Sequence, residues 1–173
     1  FNDGFGGGSL IKANVLLNTC RESGDHGPFN SWDRQLYLTD VPGKPTVYPL
    51  YNNITLNWVL ANYNSQEAID NDDGSCFYAT HSNFFAYSGN GMKSDFGGHS
   101  NMHYNNVYAY VGHGFGIVHQ DPGFPDAFFS NHVIMPKDGE YGNPQCTDTS
   151  SDAKTIVHDN TIYNPSGTLT ECG

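Results

Sequence analysis

Short apolar phrases recur along this chain, each led by an asparagine and each followed by a polar, glycine-rich loop: KANVLLN, NWVL, THSNFFAYS, YNNVYAYV, FSNHVIM and HDNTIYN. The leading residues are Asn14, Asn57, Asn83, Asn106, Asn131 and Asn160, spaced by 43, 26, 23, 25 and 29 residues. Two positions beyond each asparagine the residue is apolar every time: Leu16, Val59, Phe85, Tyr108, Val133 and Ile162. The phrases are too short for helices and carry the β-branched and aromatic residues of strands. A period of about 20–30 residues built from one strand phrase plus loops is the mark of a solenoid. The pattern predicts an all-β fold, a right-handed parallel β-helix (solenoid) of about six or seven coils. Its coils would stack about 4.8 Å apart into a rod roughly 30 Å long. The asparagines fit a ladder at a bend, with stacked amides bonding from rung to rung as they do in cross-β stacks. The alternative is a β-sandwich with turns at irregular spacing.

Length and composition suit one domain over residues 1–173. Because the chain opens on Phe1 and meets its first phrase almost at once, it reads as a processed product or a segment of a longer chain. Seven Lys and Arg stand against 18 Asp and Glu, for a formal charge of −11. Nucleic acid and anionic membranes are therefore excluded as expected partners, and long polyanionic polysaccharides are disfavoured. No apolar run reaches membrane-spanning length, and no signal-peptide pattern is present. Cys20, Cys76, Cys146 and Cys172 are even in number and lack CxxC spacing, which predicts two disulfides with three pairings open. Cys146 with Cys172 would close a loop near the final coil. Asn53 heads an Asn-Ile-Thr glycosylation sequon. Disulfides, sequon and polarity together predict a secreted, extracellular protein.

Chemistry-bearing side chains gather in the loops. Cys20, Arg21, Glu22, Asp25, His26, Trp32, Asp33 and Arg34 crowd one stretch. Arg and carboxylate can pair there and Trp32 offers a sugar-sized apolar face, although a surface loop pinned by its own salt bridges explains the same composition. Asp70, Asn71, Asp72 and Asp73 followed by Gly74 supply the hard oxygen donors that calcium takes. The closing Glu of an EF-hand is missing, and a merely solvated acidic loop is the plainer reading. Further along lie Lys93, Asp95 and His99, then His113, His119 and Asp121, with no HxH or HExxH spacing for a transition metal. Counted from the asparagines, Asp25, Asp70, Asp72, Lys93, Asp95, His119 and Asp121 fall 10 to 15 residues on, so stacking in register predicts a charged longitudinal groove. Carboxylates one or two rungs apart would sit about 5 or 10 Å apart. Those distances bracket the separations used for retaining and inverting glycoside hydrolysis. Crowded carboxylates also hold protons, as a general acid must.

SGDHGPFNSWDR, DDGSCFY and GMKSDFGGHSN resemble motifs of right-handed β-helix proteins of the pectate-lyase-like superfamily, especially its glycosidase-like members. The chain is also similar to β-helix segments of mastigoneme-type extracellular filament proteins. The resemblance spans roughly residues 9–135 and implies acidic catalytic residues on groove loops, at Asp25, Asp72 and Asp73. It is specific for fold more than for activity. Two departures stand out: fewer coils than such enzymes carry, and no basic groove of the kind a uronate lyase has. Three functions follow. The first is an extracellular structural subunit that stacks on itself head to tail into a fibre and displays a glycan-facing groove, since uncapped solenoid ends present strand edges. The second is a glycoside hydrolase-like enzyme. The third is a carbohydrate-binding module using Trp32 and tyrosines, with His26, Arg34, Lys93, Asp95, His99 and His119 as binding residues. Calcium held by Asp70, Asp72 and Asp73 is the only cofactor expected.

Overall fold

The computed structural model describes residues 7–22, 24–32, 42, 50–62, 67–94, 98–112, 116–117, 124–135, 155–163 and 165. Among these residues the chain forms sixteen short strands and no helix. Its first turn gives β1 (Leu10–Lys12), β2 (Val15–Leu17) and β3 (Asn30–Trp32). The second gives β4 (Asn52–Thr55), β5 (Trp58–Leu60) and β6 (Glu67–Asp72), and the third β7 (Tyr78–His81), β8 (Phe84–Ala86) and β9 (Asn90–Ser94). The fourth gives β10 (Met102–Tyr104), β11 (Val107–Ala109) and β12 (Gly116–Ile117). Two shorter sets follow, β13 (Ala127–Phe129) with β14 (His132–Ile134), and β15 (Ile156–His158) with β16 (Thr161–Tyr163). Three sheets result, in the orders β1-β4-β7-β10-β13-β15, β2-β5-β8-β11-β14-β16 and β3-β6-β9-β12. Every pair is parallel. The arrangement is consistent with a β-solenoid, and it sets aside the sandwich, whose sheets are antiparallel.

The three-residue strands of the first two sheets send their middle residue inward, and the four-residue β4 and β7 send their third, Ile54 and Thr80. Ile54, Thr80, His103 and Phe128 stack in one column, and Val59, Phe85, Tyr108, Val133 and Ile162 in the other, all buried. The five apolar residues two positions beyond Asn57, Asn83, Asn106, Asn131 and Asn160 are therefore core. Between the two sheets the chain turns on one left-handed residue per rung: Ala13, Leu56, Ser82, Asn105, Ser130 and Asp159, with φ between 54° and 58°. Such a conformation costs a non-glycine residue about 1–2 kcal/mol.

The asparagine that follows each of these residues offsets the cost. Asn57, Asn83, Asn106 and Asn131 each donate their backbone N–H and one side-chain N–H to Oδ1 of the next asparagine, at 2.9–3.1 Å. The second Nδ2 hydrogen reaches a carbonyl of the preceding rung: Ile11 for Asn57, Ile54 for Asn83, Thr80 for Asn106, His103 for Asn131 and Phe128 for Asn160. At about 0.5–1.5 kcal/mol per net hydrogen bond, three per rung exceed the strain of the bend. Five residues upstream lie shorter side-chain links absent from the expectation, Ser9 to Asn52 and Tyr78 to Asn101 to Asp126, interrupted where the Asn52 N–H donates to the Phe77 carbonyl at 2.8 Å. Ser9 donates to Asn52 Oδ1 at 2.9 Å, Tyr78 to Asn101 Oδ1 at 3.0 Å and Asn101 to Asp126 Oδ1 at 2.7 Å, all from backbone N–H.

Two expectations are corrected. Equal distance from an asparagine does not set register in the third sheet: Asn30, Asp70, Lys93 and Gly116 align there, lying 16, 13, 10 and 10 residues beyond their asparagines. The ladder fixes the bend and the second strand, while the loop leading to the third sheet varies in length from rung to rung. Cys20 and Cys76 form no disulfide with each other, and none occurs among the described residues. Cys76 packs into the core ahead of β7, whereas Cys20 lies on the loop after β2. Cys146 and Cys172 lie outside the described residues.

Candidate glycan site on the third sheet

Asp70 and Asp72 sit two apart on β6 and so share one side of the strand, opposite Asn71. Lys93 of β9 is the register partner of Asp70. Its ammonium lies 3.3 Å from Asp70 Oδ1 and 3.2 Å from Asp72 Oδ1, holding both carboxylates to one cation. The side chain of Asp70 has no exposure, that of Lys93 16% and that of Asp72 27%. Asp70 also accepts from Asn30 Nδ2 at 3.1 Å. Burial pushes the Asp70 carboxyl up to about 7; Lys93 pulls against that, and Glu67 and Asp72 add to it. Burial likewise raises Glu67, opposed by Lys93 and by the Asn90 amide at 3.4 Å, and assisted by Asp25 and Asp72.

Beside this acidic row stands Trp32, the register partner of Asp72 on β3. Half of its surface is exposed, and its indole N–H donates to Asp73 Oδ2 at 3.2 Å. The turn that carries Asp73 is held from beneath. Ser75 returns both its backbone N–H, at 3.0 Å, and its Oγ, at 2.6 Å, to the Asp72 carbonyl. Gly74 supplies the left-handed residue, with φ 77°. Ser31 Oγ donates to Ser75 Oγ at 2.8 Å and accepts from Asn71 Nδ2 at 3.0 Å, tying β3, β6 and the turn together. The result is a fixed row of indole face, carboxylate and ammonium along one side of the sheet.

Of the residues singled out in the sequence, Asp70, Asp72, Asp73, Lys93 and Trp32 lie together here. Asp25 lies on the exposed loop ahead of β3, near enough to Glu67 to raise its pKa, with half-buried His26 next to it. His99 belongs elsewhere: it bridges to Cys76, and its ring packs between Phe77 at 5.4 Å and Phe124 at 5.2 Å. Asn53 lies on β4 with its amide on the Tyr51 carbonyl at 3.1 Å. Arg34, Asp95 and His119 lie outside the described residues. Glu67, Asn30 and Asn90 were missed, because only the observed register sets Asn30 and Asn90 beside the acids.

Calcium fits this arrangement poorly. Two of its three expected carboxylates, Asp70 and Asp72, already share the Lys93 ammonium, which fills the position a cation would take between them. Among the described residues, no group of three His, Cys, Asp or Glu side chains is placed to hold a metal ion. Comparison with protein-family models, with curated proteins and with solved structures finds no match.

Proposed function

We propose that this chain is an extracellular right-handed parallel β-helix that binds a glycan along the outward side of its third sheet. The observation that carries the reading is the row of Trp32, Asp72 and Lys93: an exposed indole locked by Asp73, with a carboxylate and an ammonium one and two strands away. Indole faces stack on the apolar faces of sugar rings, and fixed charged groups bond hydroxyls. Right-handed winding is supported by the strong preference of parallel crossovers, about 98% in all. The abundance of carboxylates favours a neutral glycan over a polyuronate or a sulfated chain. Calorimetric titration with a panel of neutral plant and algal polysaccharides tests this. Trp32→Ala and Asp72→Asn should each weaken binding at least tenfold, and wild-type chain that binds none of the panel sinks the proposal.

A hydrolase reading draws on Asp70, which holds a proton near neutrality beside a second carboxylate, the pairing that glycoside hydrolysis uses. Its side chain is shut off from solvent, so the cover above it would have to part for a donor role. Reducing-sugar release by the wild-type chain from the same panel distinguishes turnover from binding. The fibre reading rests on the first rung, where the inward Ile11 and Leu16 are only half-buried. At the sixth rung Asn160 and Ile162 are buried, while Ile156 and Tyr163 are about half exposed.

A further inference from the structure

The first ladder has a direction, and its two ends differ. At each inner rung Oδ1 accepts from the backbone N–H and Nδ2 of the rung before, and Nδ2 donates to that rung's carbonyl. Asn14 stands first. It donates N–H and Nδ2 to Asn57 Oδ1 at 3.0 and 2.9 Å, as the pattern requires. Its other Nδ2 hydrogen turns instead to Lys12 of its own rung, at 3.2 Å, a partner that no inner asparagine uses. Asn14 is exposed, whereas Asn57, Asn83, Asn106, Asn131 and Asn160 are all buried.

The strands beside it tell the same story. Among the described residues β1 and β2 end their sheets, each paired on one side only. Their inward residues Ile11 and Leu16 are half-buried, where the equivalent Ile54 and Val59 are buried. At the entry to β1, Gly7 packs against Leu50, where a side-chain carbon would fall 2.6 Å from the Leu50 carbonyl oxygen. Unpaired parallel strands with a waiting side-chain acceptor are the geometry of strand addition.

We infer that the β1–β2 edge docks a strand–bend–strand segment of a partner polypeptide carrying the same phrase, with an asparagine whose N–H and Nδ2 meet Asn14 Oδ1. The repeat specifies this occupant: an apolar residue three before the asparagine and another two after it would cover Ile11 and Leu16.

A labelled peptide with the sequence of residues 52–62 is the probe, its binding to the 173-residue chain read by fluorescence anisotropy. The wild-type peptide should bind, and the Asn57→Asp peptide, of the same shape without the amide donor, about tenfold more weakly. Asn14→Ala in the chain should weaken the wild-type peptide by a similar factor, with circular dichroism confirming that the chain is folded. No binding, equal binding of the two peptides, or a self-associated chain from which the peptide displaces no copy would each overturn the inference. Glycan titration with the peptide-bound chain reports on the third sheet separately, so the two proposals fail independently.

Discussion

Asn106→Ala tests the central claim about what holds the coil together. Asn106 is fully buried in the middle of the ladder. Truncation takes the acceptor from the Asn83 backbone N–H and from one Asn83 Nδ2 hydrogen, both at 3.0 Å, and takes the donor from the Thr80 carbonyl at 2.9 Å. Three buried polar groups lose their partners together. At about 1–2 kcal/mol each, the loss is about 3–6 kcal/mol, against a typical domain stability of about 5–15 kcal/mol. Asn14→Ala makes the matching change at the exposed first rung. There Asn57 Oδ1 keeps the Asn14 backbone N–H at 3.0 Å and water replaces the rest, so the loss should be about 1 kcal/mol or less. Asn106→Leu restores volume without hydrogen bonds, and should recover little of the Asn106→Ala loss. Urea denaturation followed by far-ultraviolet circular dichroism reads all three. If Asn106→Ala costs no more than Asn14→Ala, or if leucine restores stability, the ladder is not what sets the register.

Two buried titratable groups should give opposite pH slopes. Burial raises Asp126 from 3.8 to about 6, against the Ser94 hydroxyl and Asn101, so the fold prefers its protonated form. Its contribution is full below about pH 4 and declines by on the order of 3 kcal/mol as pH rises through 6; Asp126→Asn should flatten that decline in melting-temperature profiles. His103, buried and lowered from 6.5 to about 3, acts in reverse: stability is full above about pH 6.5 and falls as pH drops, and His103→Leu should remove the acid-side slope. Lys93→Met removes the cation between Asp70 and Asp72; it should cost about 1–3 kcal/mol at pH 7 and less at pH 5, where Asp70 takes up a proton. Equal losses at the two pH values would show that Lys93 matters for packing alone.

The first two sheets were legible because their chemistry repeats. Asparagine amides and the apolar residues after them have one job at every rung, so the same residue types return. The second set of links, Ser9 to Asn52 and Tyr78 to Asn101 to Asp126, uses mixed residue types and is interrupted between Asn52 and Tyr78. Its signal was a constant offset of five residues before each asparagine, which only a search by position would find. Pairing Asp70 with Lys93 was beyond counting, since the preceding loops differ in length. His99 was read as a groove residue because a histidine in an aromatic stack looks, in sequence, like one in a polar site.

This division of labour explains where the candidate site lies. Stability in a stacked coil comes from what each rung shares with its neighbours, and the asparagine bend imposes the same demand six times. Residues at that bend and at the two inward columns have little freedom to change. The third sheet joins each rung through loops of unequal length and needs only strand pairing to stay in place, so charged and aromatic side chains can collect there without disturbing the ladder. Trp32, Asp72 and Lys93 come from three successive turns of chain, 40 and 21 residues apart, and meet because the ladder keeps those turns in register. A shift of one rung would separate all three at once. The variants that most weaken the ladder should therefore also abolish glycan binding, although none of them touches the third sheet.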